Sequence, residues 1–148
     1  MIESHDYTVT LEGTGPKTGT LTDHTLAVGI DVASPPEFGG PEGVWSPEHL
    51  FVAAVSACLM TTFQAIADLS AVHVISYSDQ AIGHLQRGED RRYRIDKITL
   101  RPRVVVSGVQ ADRALRLVFK AEAACLISGS INSEIVVEPD VRVASPVG

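Results

Sequence analysis

The chain has 148 residues, a length that suits one domain with a core of its own. Hydrophobic residues make up 45% and charged residues 20%, which is ordinary for a globular protein and argues against wholesale disorder. The formal net charge is −6, so a general attraction to nucleic acid or to anionic lipid is excluded. The composition therefore predicts a single acidic globular domain over residues 1–148.

Two segments near the N-terminus, residues 7–12 and 24–32, are rich in Thr, Val, Leu and Ile and predict strands with a Gly- and Pro-containing turn between them. Residues 34–47 contain many Pro and Gly residues and predict a loop. A long loop directly before a helix often carries functional residues. Phe38 and Trp45 lie in this loop, where they either line an apolar binding pocket or anchor the loop.

The longest uncharged stretch, residues 49–67, predicts a buried central helix. Ser46 suits the N-cap, Pro47 the first helical position, and Glu48 complements the positive end of the helix dipole. Apolar and small residues occupy nearly every face, which is typical of a helix enclosed by other elements. Ser, Thr and Gln residues interrupt the stretch, so we expect no membrane span.

After this helix the pattern predicts three strands and one further helix: strands at residues 72–86, 93–107 and 134–143, and a helix from about residue 112 to 125. The first two strands form a hairpin around an Arg-Gly-Glu-Asp turn, and Pro102 indicates an edge strand or a bulge. A short helical piece to about Ser130 follows the second helix. Strand groups that flank one buried helix predict an α+β fold.

Cys58 lies in the middle of the first helix and Cys125 where the second helix ends. A free cysteine among Ala and Leu residues is either a small buried hydrophobe or a nucleophile, and the residues alone leave both readings open. For Cys125, an adjacent helix N-terminus is expected to lower the pKa of the thiol. No secretory signal is visible, so we expect a cytoplasmic protein without a disulfide scaffold.

The five histidines are scattered, and the cysteines are far from any C-x-x-C arrangement, so we expect no metal site. His49 follows Glu48 directly. It either lines the mouth of a pocket or is an exposed residue of the first helical turn.

Two sequence runs resemble the motifs of the osmotically inducible protein C and organic hydroperoxide resistance (OsmC/Ohr) superfamily. The run from Trp45 to Phe63, WSPEHLFVAAVSACLMTTF, resembles a motif in which a Pro-Glu-x-Leu helix start is followed, ten residues after the Glu, by a cysteine in an Ala-rich helix. The run from Ala121 to Ser128, AEAACLIS, resembles a motif in which Cys-Pro-Val-Ser follows an Ala-rich helix end. The order of the elements is similar over nearly the whole chain.

The resemblance implies antiparallel sheets wrapped around a long buried central helix, in an intertwined homodimer with active sites at the interface. It implies a cysteine-dependent peroxidase that reduces organic hydroperoxides in defence against oxidative stress. Cys58 would attack the peroxide and become a sulfenic acid, and Cys125 would condense with it to a disulfide that an external dithiol reduces. Glu48 matches the active-site glutamate of the family. No cofactor is expected. Phe38, Trp45 and His49 are the candidate substrate-binding residues, by their place in the loop and in the first helical turn rather than by the resemblance.

The distance between Glu48 and Cys58 adds an argument of its own. Ten residues of helix separate them by about 15 Å along the axis, which excludes a hydrogen bond within one chain. Glu48 is therefore expected to act on Cys58 of a second subunit, if it acts on this residue at all.

The sequence departs from the family pattern at two places. Peroxidase members pair the glutamate with an upstream arginine, but here no arginine precedes Arg87 and Lys17 is the only upstream base. Leu126 stands where the second motif has proline. Without a cation, burial is expected to raise the pKa of Cys58. Three arginines of the hairpin are candidate substitutes: Arg91, Arg92 and Arg94.

Two alternative functions remain open, and the missing arginine favours the first of them. The first is a binding protein of the same fold, which holds a small apolar or thiol-reactive ligand without significant peroxidase activity. The second is a structural protein in which both cysteines only pack in the core.

Overall fold

The computed structural model describes residues 2–145, and the internal contacts of the chain divide it into two compact units, residues 1–50 and 51–148. The described residues form nine strands and two α-helices. The strands are β1 (Thr10–Gly15), β2 (Thr18–Thr22), β3 (Ile30–Ala33), β4 (His73–Ser78), β5 (Ile82–Arg87), β6 (Tyr93–Leu100), β7 (Arg103–Ser107), β8 (Glu134–Val137) and β9 (Asp140–Val143), and the helices are α1 (Pro47–Leu69) and α2 (Ala111–Ala124). Two short 3-10 turns lie at Pro36–Phe38 and Ser128–Ser130. The predicted α+β class is confirmed.

The first unit contains one antiparallel sheet in the order β1-β2-β3. The turn between β1 and β2 is tight because Lys17 adopts a left-handed backbone conformation, with φ 61°. Strand β2 therefore lies in residues that the sequence predicted as a connection. The predicted strand at 24–32 is wrong over most of its length, because the Asp23 carboxylate accepts the backbone N–H of Thr25 and holds a turn there.

Helix α1 begins where the sequence predicted. The Ser46 hydroxyl accepts the backbone N–H of His49 at 3.1 Å, as an N-cap residue does. A single stripe of the helix is fully buried, namely Val55, Leu59, Phe63 and Ala67. The other faces are apolar but only half-buried or exposed in one chain.

Among the described residues, α1 is the one helix long and apolar enough to cross a membrane, with a mean hydropathy of 1.9. Core helices of soluble proteins have the same length and composition. Only 22% of its most apolar stretch is buried within the chain.

The second unit contains two mixed sheets, β4-β7-β9 and β5-β6-β8. In each sheet the first pair of strands is antiparallel and the second pair is parallel. Each of the three long strands predicted after α1 is therefore two strands, because the chain passes from one sheet to the other. The hairpin pairing itself is confirmed, since β4 pairs with β7 and β5 pairs with β6.

The three places where the chain passes from one sheet to the other meet at one corner. The Asp79 carboxylate accepts the backbone N–H of Arg101 at 2.7 Å and the Ser56 hydroxyl at 2.5 Å. The Arg101 guanidinium in turn binds the Glu138 carboxylate at 2.9 Å. Pro102, which has no N–H to donate, is buried at this corner. The predicted edge strand or bulge at Pro102 is wrong, because this residue lies where the chain passes from β6 to β7, and each of these is the central strand of its sheet.

The core of the second unit lies between α1, α2 and strands β6 and β7. Its fully buried members include Leu59 and Phe63 of α1, Ile98 and Leu100 of β6, Val104 and Val106 of β7, and Val118 and Ala121 of α2. This packing fixes the end of α2 relative to the middle of α1, and both cysteines lie at that place.

Candidate functional site

Cys58 and Cys125 are in contact, and both are free thiols. Cys58 lies on α1, one residue before the buried Leu59, and is half-buried. Cys125 is the C-terminal cap of α2 and is buried, with 3% of its surface exposed. The structure therefore brings together the two residues that the sequence motifs singled out.

Hydrogen-bond donors surround the sulfur of Cys58. Burial raises the pKa of this thiol, but hydrogen bonds from the Cys125 side chain, the backbone of Ile127, the Thr62 hydroxyl and the backbone of Leu126 outweigh burial and lower the pKa below its ordinary value. The Thr62 Oγ1 atom lies 3.8 Å from the sulfur. A sulfur held in this way is stabilised as a thiolate.

The two backbone donors exist because the chain starts a new turn after α2. Cys125 leaves the helical conformation, with ψ 115°. The next turn is closed when the Gly129 N–H donates to the Cys125 carbonyl at 3.0 Å. The N–H groups of Leu126 and Ile127 at the start of that turn have no acceptor within it, so they are free to bind an anion.

The environment of Cys125 raises the pKa of its thiol, whereas the environment of Cys58 lowers the pKa of that thiol. Burial raises the pKa of its thiol, and its hydrogen bond to Cys58 raises this pKa further, while Ser128 lowers it only in part. The expectation that a helix N-terminus lowers the pKa of Cys125 is therefore wrong, because the amides of that turn act on Cys58. The expected rise of the Cys58 pKa is wrong for the same reason.

No cation takes part in the principal contacts of Cys58 within the described chain. The upstream base Lys17 donates to the Phe38 carbonyl at 2.8 Å. In the hairpin, Arg94 binds Asp90 at 2.6 Å and Arg87 lies 5.8 Å from the centre of the Tyr93 ring. Backbone amides of Ile127 and Leu126, rather than one of the candidate arginines of the hairpin, are among the groups that lower the pKa of Cys58.

Glu122 and Ser128 are polar residues of the site that the sequence reasoning missed. Burial raises the pKa of the Glu122 carboxyl, and the Ser128 hydroxyl partly offsets this. The signal was present in the sequence: an acidic residue in the last turn of a helix lies at the negative end of the helix dipole, where it is unfavourable.

Glu48 lies in the first turn of α1 and is half-buried. Its Oε2 atom is buried and has no hydrogen-bond partner among the described residues. Helix α1 is unbroken from Pro47 to Leu69, so the helical rise of about 15 Å between Glu48 and Cys58 stands.

Trp45 and His49 line a surface cleft of about 530 Å³ in the first unit, together with Pro36, Glu42, Gly43 and Val44. Their ring centres are 6.2 Å apart in an edge-on arrangement, and the His49 Nδ1 atom lies 2.6 Å from the Ser46 hydroxyl. Phe38 is 38% exposed in its 3-10 turn and is not one of the lining residues of this cleft. Over residues 2–145, no group of three or more His, Cys, Asp or Glu side chains is placed to hold a metal ion.

The chain is similar to known proteins over most of its length. The family model described as OsmC-like protein matches residues 40–140. An OsmC-like protein of unknown function from Vibrio cholerae has 25% identity and a TM-score of 0.84, over 92% of this chain and 99% of that one.

Two further solved structures are organic hydroperoxide resistance proteins. The one from Legionella pneumophila has 24% identity and a TM-score of 0.70, over 95% of this chain and 100% of that one. The one from Elizabethkingia anophelis has 21% identity and a TM-score of 0.71, over 97% and 100%. No curated protein matches the sequence. The family model covers well over half of the chain, and the fold agrees with it: this protein belongs to the OsmC-like protein family.

Proposed function

We propose that the protein is a cysteine-dependent peroxidase that reduces organic hydroperoxides, with Cys58 as the attacking thiolate and Cys125 as the resolving thiol. The observation that carries this proposal is the contact between two thiols whose pKa values are shifted in opposite directions. The thiol with the lowered pKa is also the more exposed one, and a nucleophile needs both properties. Two similar structures are organic hydroperoxide resistance proteins, which agrees with this substrate class.

The reaction has three steps. The Cys58 thiolate attacks one peroxide oxygen, the O–O bond breaks, and the other oxygen leaves as an alcohol after it takes up a proton, so that Cys58 becomes a sulfenic acid. Cys125 then attacks the oxidised sulfur, the S–O bond breaks, and water leaves as the disulfide forms. An external dithiol reduces that disulfide by thiol–disulfide exchange and is itself oxidised. No cofactor is required.

The proposed active form is a homodimer in the cytoplasm. The exposed stripe of α1 consists mainly of small residues, namely Ala54, Ala57, Thr61 and Ala65, which allow a second helix to approach closely. The buried and unpaired Oε2 atom of Glu48, about 15 Å from Cys58 along its own helix, supports a role at the Cys58 site of a second copy.

We also propose that Phe38, Trp45 and His49 bind the organic part of the substrate. All three are at least partly exposed in a unit rich in Gly and Pro, and two of them line one cleft. Apolar side chains at such a cleft favour an alkyl or aryl hydroperoxide over hydrogen peroxide.

The test is a single-turnover oxidation with one equivalent of cumene hydroperoxide, in which free thiols are counted and the protein mass is measured. The wild type is expected to lose both thiols, and Cys125→Ser is expected to gain one oxygen atom at Cys58. Cys58→Ser is the matched control and should keep its remaining thiol. If the wild type keeps both thiols, or oxidises no faster than free cysteine, the peroxidase proposal fails.

The alternative is a binding protein that holds a small apolar or thiol-reactive ligand. The observation that favours it is the absence of any arginine before Arg87, since peroxidase members supply a cation from that region. It predicts unchanged thiols in the same experiment, together with retained apolar ligand in the purified protein.

A further inference from the structure

The outer face of the β4-β7-β9 sheet carries a charged pocket that the proposed function does not use. In β7, Val104 and Val106 are buried in the core. Because successive side chains of a strand point to opposite faces, Arg103 and Val105 lie on the other face of the sheet. A pocket of about 340 Å³, called the arginine pocket here, is lined by Arg103, Val104, Val105, Asp140 and Arg142.

The register of the strands brings two arginines to this pocket. In the parallel pair of β7 and β9, Arg103 lies opposite Asp140 and Val105 lies opposite Arg142. The Cα atoms of the two arginines are therefore about 8 Å apart on the diagonal between neighbouring strands. One tetrahedral phosphate group, with a hydrogen bond of about 2.8 Å on either side, spans a similar distance.

The Asp140 carboxylate orients Arg142 without using all of its donors. The Nε and Nη2 atoms of Arg142 each lie 3.3 Å from an oxygen of Asp140. These contacts are longer than strong charge-assisted hydrogen bonds, which measure about 2.7–2.9 Å. A guanidinium group also donates from its second terminal nitrogen. The Nη1 group of Arg142 is therefore available to a ligand.

Arg103 has no partner for its guanidinium group among the described residues. None of the ion pairs of residues 2–145 includes it. By contrast, Arg94, Arg101 and Arg116 each bind a carboxylate. The full set of Arg103 donors is therefore free to bind an anion in the pocket.

Two serines extend the polar face beside the arginines. In the antiparallel pair of β4 and β7, Ser78 lies opposite Arg103 and Ser76 lies opposite Val105. Both serines are exposed, and residues directly opposite each other in such a pair share a face. The face thus combines guanidinium and hydroxyl donors with one apolar side chain, that of Val105. Donors of these kinds recognise phosphate oxygens.

We propose that the arginine pocket binds the phosphate group of a small organic phosphate monoester. Arg103 and Arg142 bind the phosphate oxygens, and Val105 contacts the organic part. A phosphate monoester carries nearly two negative charges at pH 7. Such a ligand is attracted by two guanidinium groups more strongly than a carboxylate is, and this offsets the repulsion from Asp140. The cysteines are not among the lining residues, so the inference goes beyond the proposed function and does not rest on it.

The test is a titration of the isotope-labelled protein at constant ionic strength, followed by NMR of the backbone amides and the arginine side chains. The three probes are phenyl phosphate, inorganic phosphate and acetate. We expect saturable shifts at the amides of β7 and β9 and at the Nε–H groups of Arg103 and Arg142. Phenyl phosphate should bind more tightly than inorganic phosphate, because its ring contacts Val105, and acetate should bind more weakly than either.

The variants are Arg103→Gln and Arg142→Gln. Each is expected to lower the affinity for phenyl phosphate about tenfold, because it removes hydrogen bonds to a charged group. Arg116→Gln is the matched control. It removes the same charge from α2, where Arg116 binds Asp112 at 3.3 Å as Arg142 binds Asp140. This variant should keep the wild-type affinity. All three arginines are exposed, so the variants should fold.

Four results would overturn the proposal. The first is the lack of a saturable shift with phenyl phosphate, or shifts that lie away from β7 and β9. The second is an equal loss of affinity in Arg103→Gln and Arg116→Gln, because the effect of the charge would then be general. The third is acetate binding as tight as that of phenyl phosphate, which would exclude phosphate as the recognised group. The fourth is an equal affinity for phenyl phosphate and inorganic phosphate, which would exclude a contact between Val105 and the organic part.

Discussion

Leu126 shows how one residue changes the chemistry of another. Its backbone N–H helps to lower the pKa of Cys58, and its side chain is 71% exposed. A proline at this position, as in the second family motif, has no N–H to donate. The departure from the motif therefore adds a donor to the thiolate in a sequence that has no upstream arginine.

The donor role of the Leu126 N–H predicts the effect of Leu126→Pro. Cys125 has φ −66° and ψ 115°, a conformation that favours proline as the next residue, so the substitution should be tolerated. Loss of a hydrogen bond to a charged group is expected to raise the pKa of Cys58, and therefore to slow its alkylation by iodoacetamide severalfold below that pKa. The measurement is the alkylation rate of Cys58 against pH.

The matched control is Leu126→Ala, which keeps the N–H and should alkylate as the wild type does. Equal pH profiles for Leu126→Pro and Leu126→Ala would show that this amide does not stabilise the thiolate.

At the scale of elements, Asp79 joins the places where the chain passes between the two sheets of the second unit. Its carboxylate accepts from the Ser56 hydroxyl on α1 and from the Arg101 N–H between β6 and β7. Both donors are anchored on elements that contribute to the core. This corner holds the strands in register against the helix that carries Cys58.

We expect Asp79→Ala to destabilise the fold by about 2–3 kcal/mol, because it leaves two donors without their acceptor. Urea unfolding measures the change in the free energy of unfolding. Asp96→Ala is the comparison, since Asp96 makes an exposed pair with His84 at 2.8 Å and its loss should destabilise the fold far less. If the two variants lose similar amounts of unfolding free energy, the corner at Asp79 does not hold the strands in register.

At the scale of the whole molecule, much apolar surface is left uncovered within one chain. Ala33 and Pro35 are the buried apolar residues of described residues 2–50, whereas Leu11, Val28 and Trp45 are more than half exposed. Helix α1 adds its exposed stripe of small residues. Surface of this extent is expected to be covered by a second copy.

The prediction is that Ala65→Arg weakens the homodimer. Ala65 lies on the exposed stripe, two helical turns from Cys58, so an arginine there should block a close helix approach without touching the thiol. Sedimentation equilibrium should give the dimer mass for the wild type and a shift toward the monomer for the variant. Ala123→Arg, an exposed position of α2, should keep the dimer mass. A monomeric wild type would contradict the prediction.

The sequence alone was sufficient to predict the α+β class and the start of α1 at Ser46, and its motifs singled out the two cysteines that the fold brings together, because caps, periodicity and motifs are local properties. The sequence did not predict that the chain passes from one sheet to the other near Asp79, Pro102 and Glu138. The alternation of apolar and polar residues continues from each strand into the next, so it reads as one long strand.

The tertiary structure alone decided which thiol has the lowered pKa. The Leu126 and Ile127 amides are distant from Cys58 in the chain and reach it only because α1 and α2 share a core. The same packing places Glu122 and Ser128 beside Cys125. Hydrogen bonds and burial depend on neighbours in space, so these properties appear only when the chain is folded.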